Sequence, residues 1–155
     1  MLDVTRRNFL GLISTALVIQ FGSAQAQEAD IWSADQAFEA LSNGEIVMID
    51  IRSRGEWKET GVADGAWPIS MHEPDFPQRL FRAQELANGR PVALICATGG
   101  RSGAVMRALD RAGYTGFIDV SEGMEGSKLG RGWIAKRLSI VQANNALYLL
   151  PEILK

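Results

Sequence analysis

The chain has 155 residues, of which 46% are hydrophobic and 22% are charged, and it contains one cysteine and one histidine. One cysteine excludes an internal disulfide, and one Cys with one His cannot supply the three or four ligands of an ordinary zinc site. A net charge of −2 does not favour nucleic-acid binding. The length fits one domain and is too short for a TIM barrel. We predict neither a cofactor nor a metal.

The first 26 residues have the layout of an export signal. Two arginines precede an apolar run at 9–21, and the small-residue pattern Ala-Gln-Ala follows at 24–26. The run is too short for a stable membrane anchor, because a spanning helix needs about 20 apolar residues. The segment Thr5-Arg6-Arg7-Asn8-Phe9-Leu10 resembles the twin-arginine export signal. That resemblance implies a bacterial protein that the twin-arginine machinery delivers, already folded, to the periplasm.

We expect cleavage after Ala26 and divide the remaining chain into three parts. These are a short lead at 27–33, a globular domain at 34–141 and a C-terminal tail at 142–155.

Predicted helices and strands alternate through the globular domain. Ser33 with Gln36 and Ser53 with Glu56 form capping-box patterns that begin two helices. Nearly continuous apolar runs at 45–51 and 91–95 indicate strands buried on both faces. A turn is predicted at 61–65, followed by a short strand at 66–69 that Pro68 places at an edge of the sheet. A helix at 76–87 is expected to be capped by Asp75 and to bury Phe76, Leu80, Phe81 and Leu86, and a helix at 102–112 is expected to turn Ala104, Val105, Ala108, Leu109 and Ala112 inward. The last predicted elements are a strand at 116–120 and a short helical segment near Trp133.

This alternation predicts an α/β fold with a mostly parallel central sheet flanked by helices on both faces. Ligands of such sheets bind beyond the carboxyl ends of the strands, where loops lead into helices. Cys96 lies at such a point.

The loop from Cys96 to Ser102 is the candidate catalytic site. It joins a buried strand to a helix start, so its backbone N–H groups are not committed to a ladder and can surround the sulfur. Gly99 and Gly100 can adopt positive φ, and Arg101 adds positive charge beside the helix N-terminus. The thiol is therefore expected to ionise more readily than a free cysteine and to act as a nucleophile without histidine. The simpler interpretation is a small buried cysteine at a strand end.

Four segments together resemble a single-domain rhodanese, a sulfurtransferase of the thiosulfate type. Cys96, Gly99, Arg101 and Ser102 match the family's Cys-x-x-Gly-x-Arg-Ser loop. Residues 49–52 with Glu-Trp at 56–57 resemble its Asp-Val-Arg and Glu-aromatic motifs. The segment at 61–68 resembles the family's Gly-His-Ile segment, although Val62 stands at the histidine position, and the glycine-rich stretch before Trp133 resembles its terminal segment.

The resemblance implies that Cys96 takes the outer sulfur of a donor such as thiosulfate and carries it as a persulfide to a thiol, cyanide or protein acceptor. The N–H groups of residues 97–101, including Ala97, Thr98 and Gly100, would then hold the persulfide, and Arg101 would attract the anionic donor. Asp50 and Arg52 are interpreted as a structural pair that supports the base of the loop.

Two alternatives remain open. Phosphatases and arsenate reductases of this fold use Cys-x5-Arg, one residue longer than the Cys-x4-Arg of this chain, to enclose a tetrahedral oxyanion. A non-catalytic module could instead use the loop to bind a partner or to sense sulfur compounds. His72 is predicted to be a surface residue and at most a contact at the rim of the site.

Overall fold

The computed structural model describes residues 30–155, so the predicted export signal lies outside the described residues. Along the chain the elements are β1 (Asp30–Trp32), α1 (Ala34–Ser42), β2 (Val47–Asp50), α2 (Arg54–Thr60), β3 (Val62–Ala63), β4 (Trp67–Pro68), α3 (Phe76–Leu86), β5 (Val92–Ile95), α4 (Gly100–Arg111), β6 (Phe117–Val120), β7 (Ile140–Val141), α5 (Ala143–Leu149) and a 3₁₀ turn (Glu152–Leu154). Five parallel strands form the central sheet in the order β1-β6-β5-β2-β4, and β3 and β7 form a separate antiparallel pair.

Helices cover both faces of the sheet. Side chains of β2 alternate between two apolar clusters, with Val47 and Ile49 packed with α3 and α4, and Met48 packed with α1, α2 and α5. This alternation explains the continuous apolar runs, because neither face of the strand meets water. The predicted α/β class with a mostly parallel sheet is confirmed. No helix among residues 30–155 is long and apolar enough to cross a membrane.

Local sequence signals set the boundaries of the early helices. Ser33 and Ser53 both form the predicted capping boxes. Pro68 lies in β4, an edge strand, as predicted. Helix α3 begins at Phe76 as expected, but the side chain of Asp75 makes no capping hydrogen bond, and Leu86 is 38% exposed rather than buried.

The predicted inward face of α4 was partly wrong. The helix begins at Gly100, two residues earlier than expected, and its alanines at 104 and 108 are exposed, as is Ala112 directly after its last residue. The buried stripe consists of Leu109, as predicted, together with Ser102 and Met106. Alanine is small enough to occupy either face, so the larger side chains determine which stripe enters the core.

Four segments differ from the sequence-based expectation. The predicted turn at 61–65 contains β3, which pairs with β7, and the residues around Trp133 form turns rather than a helix. Strand β1 was not predicted. The segment 142–155 forms α5 and the 3₁₀ turn, and Leu150 and Leu154 are buried in the core.

Candidate active site

The candidate nucleophile lies where β5 ends and α4 begins. Cys96 is a free cysteine with no exposed surface, and its side chain belongs to the apolar cluster under α3 and α4. Two groups of Ser102 approach its sulfur: the backbone N–H donates to Sγ at 3.4 Å, and the hydroxyl oxygen lies 3.4 Å from Sγ. The first turn of α4 therefore holds a polar donor against the sulfur inside an otherwise apolar environment.

The backbone of the loop presents its N–H groups without internal partners. The carbonyls of Cys96 and Ala97 accept hydrogen bonds from Met124 N–H at 2.9 Å and Glu125 N–H at 2.8 Å. The N–H groups of residues 97–101, by contrast, donate to no protein atom within the described part of the chain. Five consecutive unpaired donors at a helix start are a suitable environment for an anion.

Close backbone packing holds the loop in this shape. Gly99 has φ of +78°, and a Cβ at this position would overlap the carbonyl oxygen of Ser121. Gly123 has φ of +68°, and its Cβ would overlap the carbonyl oxygen of Ala97. Gly100, in contrast, is a helical residue without positive φ and has open space at the Cβ position, so the expectation of positive φ applies to Gly99 alone.

Arg101 is paired with a carboxylate, a contact that no sequence pattern predicts. Its Nη1 donates to Glu56 Oε2 at 2.9 Å, and its Nη2 pairs with Glu56 Oε1. Glu56 also accepts the N–H of Ser53 at 2.9 Å, so one carboxylate caps α2 and holds the arginine. The hydrogen bond from Arg101 lowers the pKa of Glu56 to about 2, against desolvation that acts in the opposite direction.

His72 lies at the edge of the same pair. Its exposed ring places Nε2 3.2 Å from Nη1 of Arg101. This is the surface position at the rim that the sequence predicted. Glu56 was visible in the sequence only as a capping residue and as part of the family motif, and neither signal indicates that it reaches Arg101.

Asp50 and Arg52 form a fully buried ion pair beside the site. The Arg52 guanidinium contacts the Asp50 carboxylate through Nε at 3.0 Å and Nη2 at 2.7 Å. It also donates to Thr60 Oγ1 at 2.8 Å and to the Gly61 carbonyl at 2.6 Å. Among the described residues, no hydrogen bond joins this pair to the Cys96 loop. The pair therefore fixes the end of β2 to the junction of α2 and β3. Its hydrogen bonds do not reach the base of the Cys96 loop, which it was predicted to support.

A further buried carboxyl group was missed altogether. Asp119, in β6, is 7% exposed, and its Oδ1 has no hydrogen-bond partner among the described residues. Burial raises its pKa, while the Ser102 hydroxyl and the Arg107 charge act to lower it. No sequence pattern indicates this group, because an aspartate within a short strand is ordinarily expected to face solvent.

Comparison with known proteins agrees with this geometry. The family model described as a rhodanese-like domain matches residues 33–129, and the chain belongs to that family. An uncharacterised protein of Rickettsia conorii is 26% identical over 105 residues, which cover 60% of this chain and 80% of that protein. An uncharacterised protein of Rickettsia montanensis matches with the same identity and coverage.

Solved structures share the fold. The crystal structure of Rv0390 from M. tuberculosis has a TM-score of 0.53 at 26% identity, covering 74% of this chain and 98% of that one. A polysulfide-sulfur transferase homodimer from Wolinella succinogenes has a TM-score of 0.52 at 21% identity, covering 74% and 79%. A thiosulfate sulfurtransferase from Pseudomonas aeruginosa has a TM-score of 0.55 at 20% identity, covering 74% of this chain and 20% of that one.

Proposed function

We propose that this protein is an exported sulfurtransferase that moves a sulfane sulfur from a donor such as thiosulfate to a thiol, cyanide or protein acceptor through a persulfide on Cys96. The observation that carries this proposal is a single cysteine set among five unpaired backbone N–H groups at the start of α4. Membership of the rhodanese-like family and the fold shared with two sulfurtransferases support it.

The reaction proceeds in two displacements at sulfur. The Cys96 thiolate attacks the outer sulfur of thiosulfate, the donor S–S bond breaks, and sulfite leaves with the electron pair. The persulfide anion is stabilised by the N–H groups of residues 97–101. An acceptor thiolate or cyanide then attacks the outer sulfur, and the Cys96 thiolate leaves with the electron pair of the S–S bond.

The burial of Cys96 favours this chemistry over hydrolysis of a phosphate ester. The single outer sulfur atom of a donor can approach a side chain with no exposed surface more easily than the four-coordinate phosphorus of a phosphate ester can. The outer sulfur of a persulfide lies about 2 Å beyond Sγ, which makes it more accessible to an acceptor than the resting thiol. The Cys-x4-Arg spacing, shorter than that of phosphatases, points in the same direction.

Arg101 contributes differently from the free cation that the sequence suggested. Since Glu56 neutralises much of its charge, we assign the binding of the donor mainly to the backbone donors. The Arg101 guanidinium itself stays protonated, because its pKa is raised first by the hydrogen bond to Glu56 and further by the Cys96 and Asp50 charges.

Mass spectrometry of the intact protein tests the proposal. Incubation with thiosulfate should add about 32 Da, the mass of one sulfur atom, and Cys96→Ser should show no addition. The adduct should disappear when cyanide or a thiol is added. No adduct with any sulfane donor would leave the binding-module alternative, and hydrolysis of an aryl phosphate would favour the phosphatase alternative.

Export is tested separately in a bacterial host with a twin-arginine system. We expect the full chain to reach the periplasm and to be recovered with Gln27 as its first residue. Replacing both Arg6 and Arg7 with lysine should retain the protein in the cytoplasm, because the twin-arginine pair is the distinctive part of the signal.

A further inference from the structure

A cleft of about 490 Å³ lies beside the Cys96 loop, between α4 and the segment that follows β6. Thr98 and Gly99 of the loop form part of its wall, but Cys96 does not line it. A ligand in this cleft would therefore touch the loop without occupying the position of the reacting sulfur.

A carboxyl group that lines this cleft lacks a partner. Asp119 is 7% exposed, and its Oδ1 accepts no hydrogen bond from residues 30–155. Burial of a carboxylate without a compensating group is costly in free energy. A positively charged group bound in the cleft would supply that compensation.

Two cationic side chains line the same cleft. Arg107 belongs to α4 and Lys128 to the segment after β6, and both are exposed. Within the described part of the chain, neither side chain forms an ion pair. The cleft therefore offers an unpaired carboxyl group and unpaired cations to one ligand, which favours a ligand that carries both signs of charge.

The opposite charges lie close together because position 103 has no side chain. A Cβ built on Gly103 would be 3.4 Å from Nη1 of Arg107 and 3.4 Å from Oδ2 of Asp119. These two atoms are therefore separated by no more than twice 3.4 Å, although they form no ion pair among the described residues. A small ligand whose ammonium and carboxylate groups are attached to the same carbon atom can bridge this separation.

Two large aliphatic side chains complete the wall of the cleft. Ile31 of β1 is 59% exposed and Leu129 is 67% exposed. An apolar side chain on the ligand would remove part of this surface from water and so add to the free energy of binding.

We propose that this cleft binds a free α-amino acid with an apolar side chain, with its ammonium group on Asp119 and its carboxylate on Arg107 and Lys128. The apolar side chain of the ligand packs against Ile31 and Leu129. The site goes beyond the proposed function, because it requires neither Cys96 nor sulfur transfer.

Titration of the isotope-labelled full chain with L-leucine, followed by nuclear magnetic resonance, tests the proposal. We expect saturable binding with Kd of about 1 mM or tighter, with shifts of the Gly103 and Leu129 amide resonances. N-acetyl-L-leucine lacks the ammonium group and L-leucinamide lacks the carboxylate, so each should bind at least about tenfold more weakly. An absence of saturation by leucine below about 50 mM, or equal binding of either analogue, would overturn the proposal.

Two variants test the site without relying on a single substitution. Asp119→Asn keeps the shape of the side chain and removes its charge, and should weaken leucine binding at least about tenfold. Gly103→Ala keeps every charge but places a methyl group against both Arg107 and Asp119, and should weaken binding at least about threefold. An unchanged affinity in either variant contradicts the assignment.

Controls separate this site from general charge effects and from the sulfur chemistry. Arg111→Gln removes an exposed cation from the last turn of α4, outside the cleft, and should leave leucine binding unchanged. Cys96→Ser should bind leucine as wild type does. Loss of sulfur transfer with intact leucine binding would therefore overturn only the proposed function, and the reverse result would overturn only this inference.

Discussion

Glu56 and Arg101, forty-five residues apart in sequence, form a two-pronged ion pair at the entrance to the Cys96 loop. The side chains are 25% and 29% exposed, so the pair is partly shielded from water. Because Glu56 accepts hydrogen bonds from both Ser53 and Arg101, it connects the N-terminal cap of α2 to the first turn of α4. The pair orients the arginine and reduces the positive potential that an anionic donor meets.

Removing the Glu56 charge should strengthen donor binding. Glu56→Gln retains an amide oxygen that can accept from Arg101 but leaves the guanidinium charge unbalanced. We expect KM for thiosulfate to fall by about threefold at low ionic strength, with a smaller effect at high salt. Glu59→Gln, an exposed change on the same helix, is the matched control. An unchanged or higher KM would show that Arg101 needs Glu56 for orientation more than it benefits from the extra charge.

The same pair predicts a pH dependence of stability. The pKa of Glu56 is lowered from 4.5 to about 2, chiefly by the hydrogen bond from Arg101. A lowered folded-state pKa contributes stability that is present above the unfolded value and is lost as the pH falls toward the folded value. The melting temperature of wild type should therefore exceed that of Glu56→Gln above pH 4.5. The difference should shrink as the pH falls from 4.5 toward 2, and a constant difference would contradict the assignment.

Much of the fold could be predicted because its signals are local. The capping serines at 33 and 53 act within three residues, and the apolar runs of β2 and β5 follow from burial on both faces. The position of Cys96 followed from the same logic, since a strand that runs into a glycine-containing helix start ends at the ligand-binding edge of a parallel sheet.

Contacts between distant segments could not be predicted in this way. The capping role of Glu56 is sufficient to explain a glutamate at this position, so the sequence does not indicate a second, distant partner. Asp119 occupies one position of a four-residue strand, and its burial depends on how α4 covers β6. Strand β1 has three residues, too few for a periodic pattern, and it forms because β6 offers a free edge.

Alanine substitution at the two loop glycines should have opposite outcomes. Gly99→Ala forces a Cβ into the Ser121 carbonyl and requires positive φ, so we expect a loss of about 2 to 4 kcal/mol in the free energy of unfolding and slower alkylation of Cys96. Gly100→Ala meets open space in a helical position and should be neutral or stabilising by up to about 1 kcal/mol. Chemical denaturation measures both, and equal effects would contradict the role assigned to Gly99.

The buried Asp50–Arg52 pair should matter for folding rather than for thiol chemistry. Asp50→Asn keeps one amide oxygen as an acceptor but leaves the buried Arg52 charge without a carboxylate to balance it, which should cost about 3 to 5 kcal/mol of stability. Under conditions in which the variant is folded, its Cys96 alkylation rate should stay close to that of wild type. Asp64→Asn, at an exposed position, is the control. A large change in the alkylation rate with little loss of stability would instead show that the Asp50–Arg52 pair supports the Cys96 loop.

The C-terminal residues should contribute substantially to stability. Leu154 is fully buried, and the Nε of buried Arg79 donates to its carbonyl at 2.9 Å. Leu154→Ala removes apolar contacts with the cluster under α3 and should lower the free energy of unfolding by about 2 to 4 kcal/mol. Ile153→Ala, at a neighbouring position that is 58% exposed, should change it by less than about 0.5 kcal/mol. Urea denaturation of the two variants tests this contrast. Similar small effects at both positions would mean that the last residues are not part of the cooperative core. The hydrogen bond from Arg79 to the Leu154 carbonyl would then not contribute to the stability of α3.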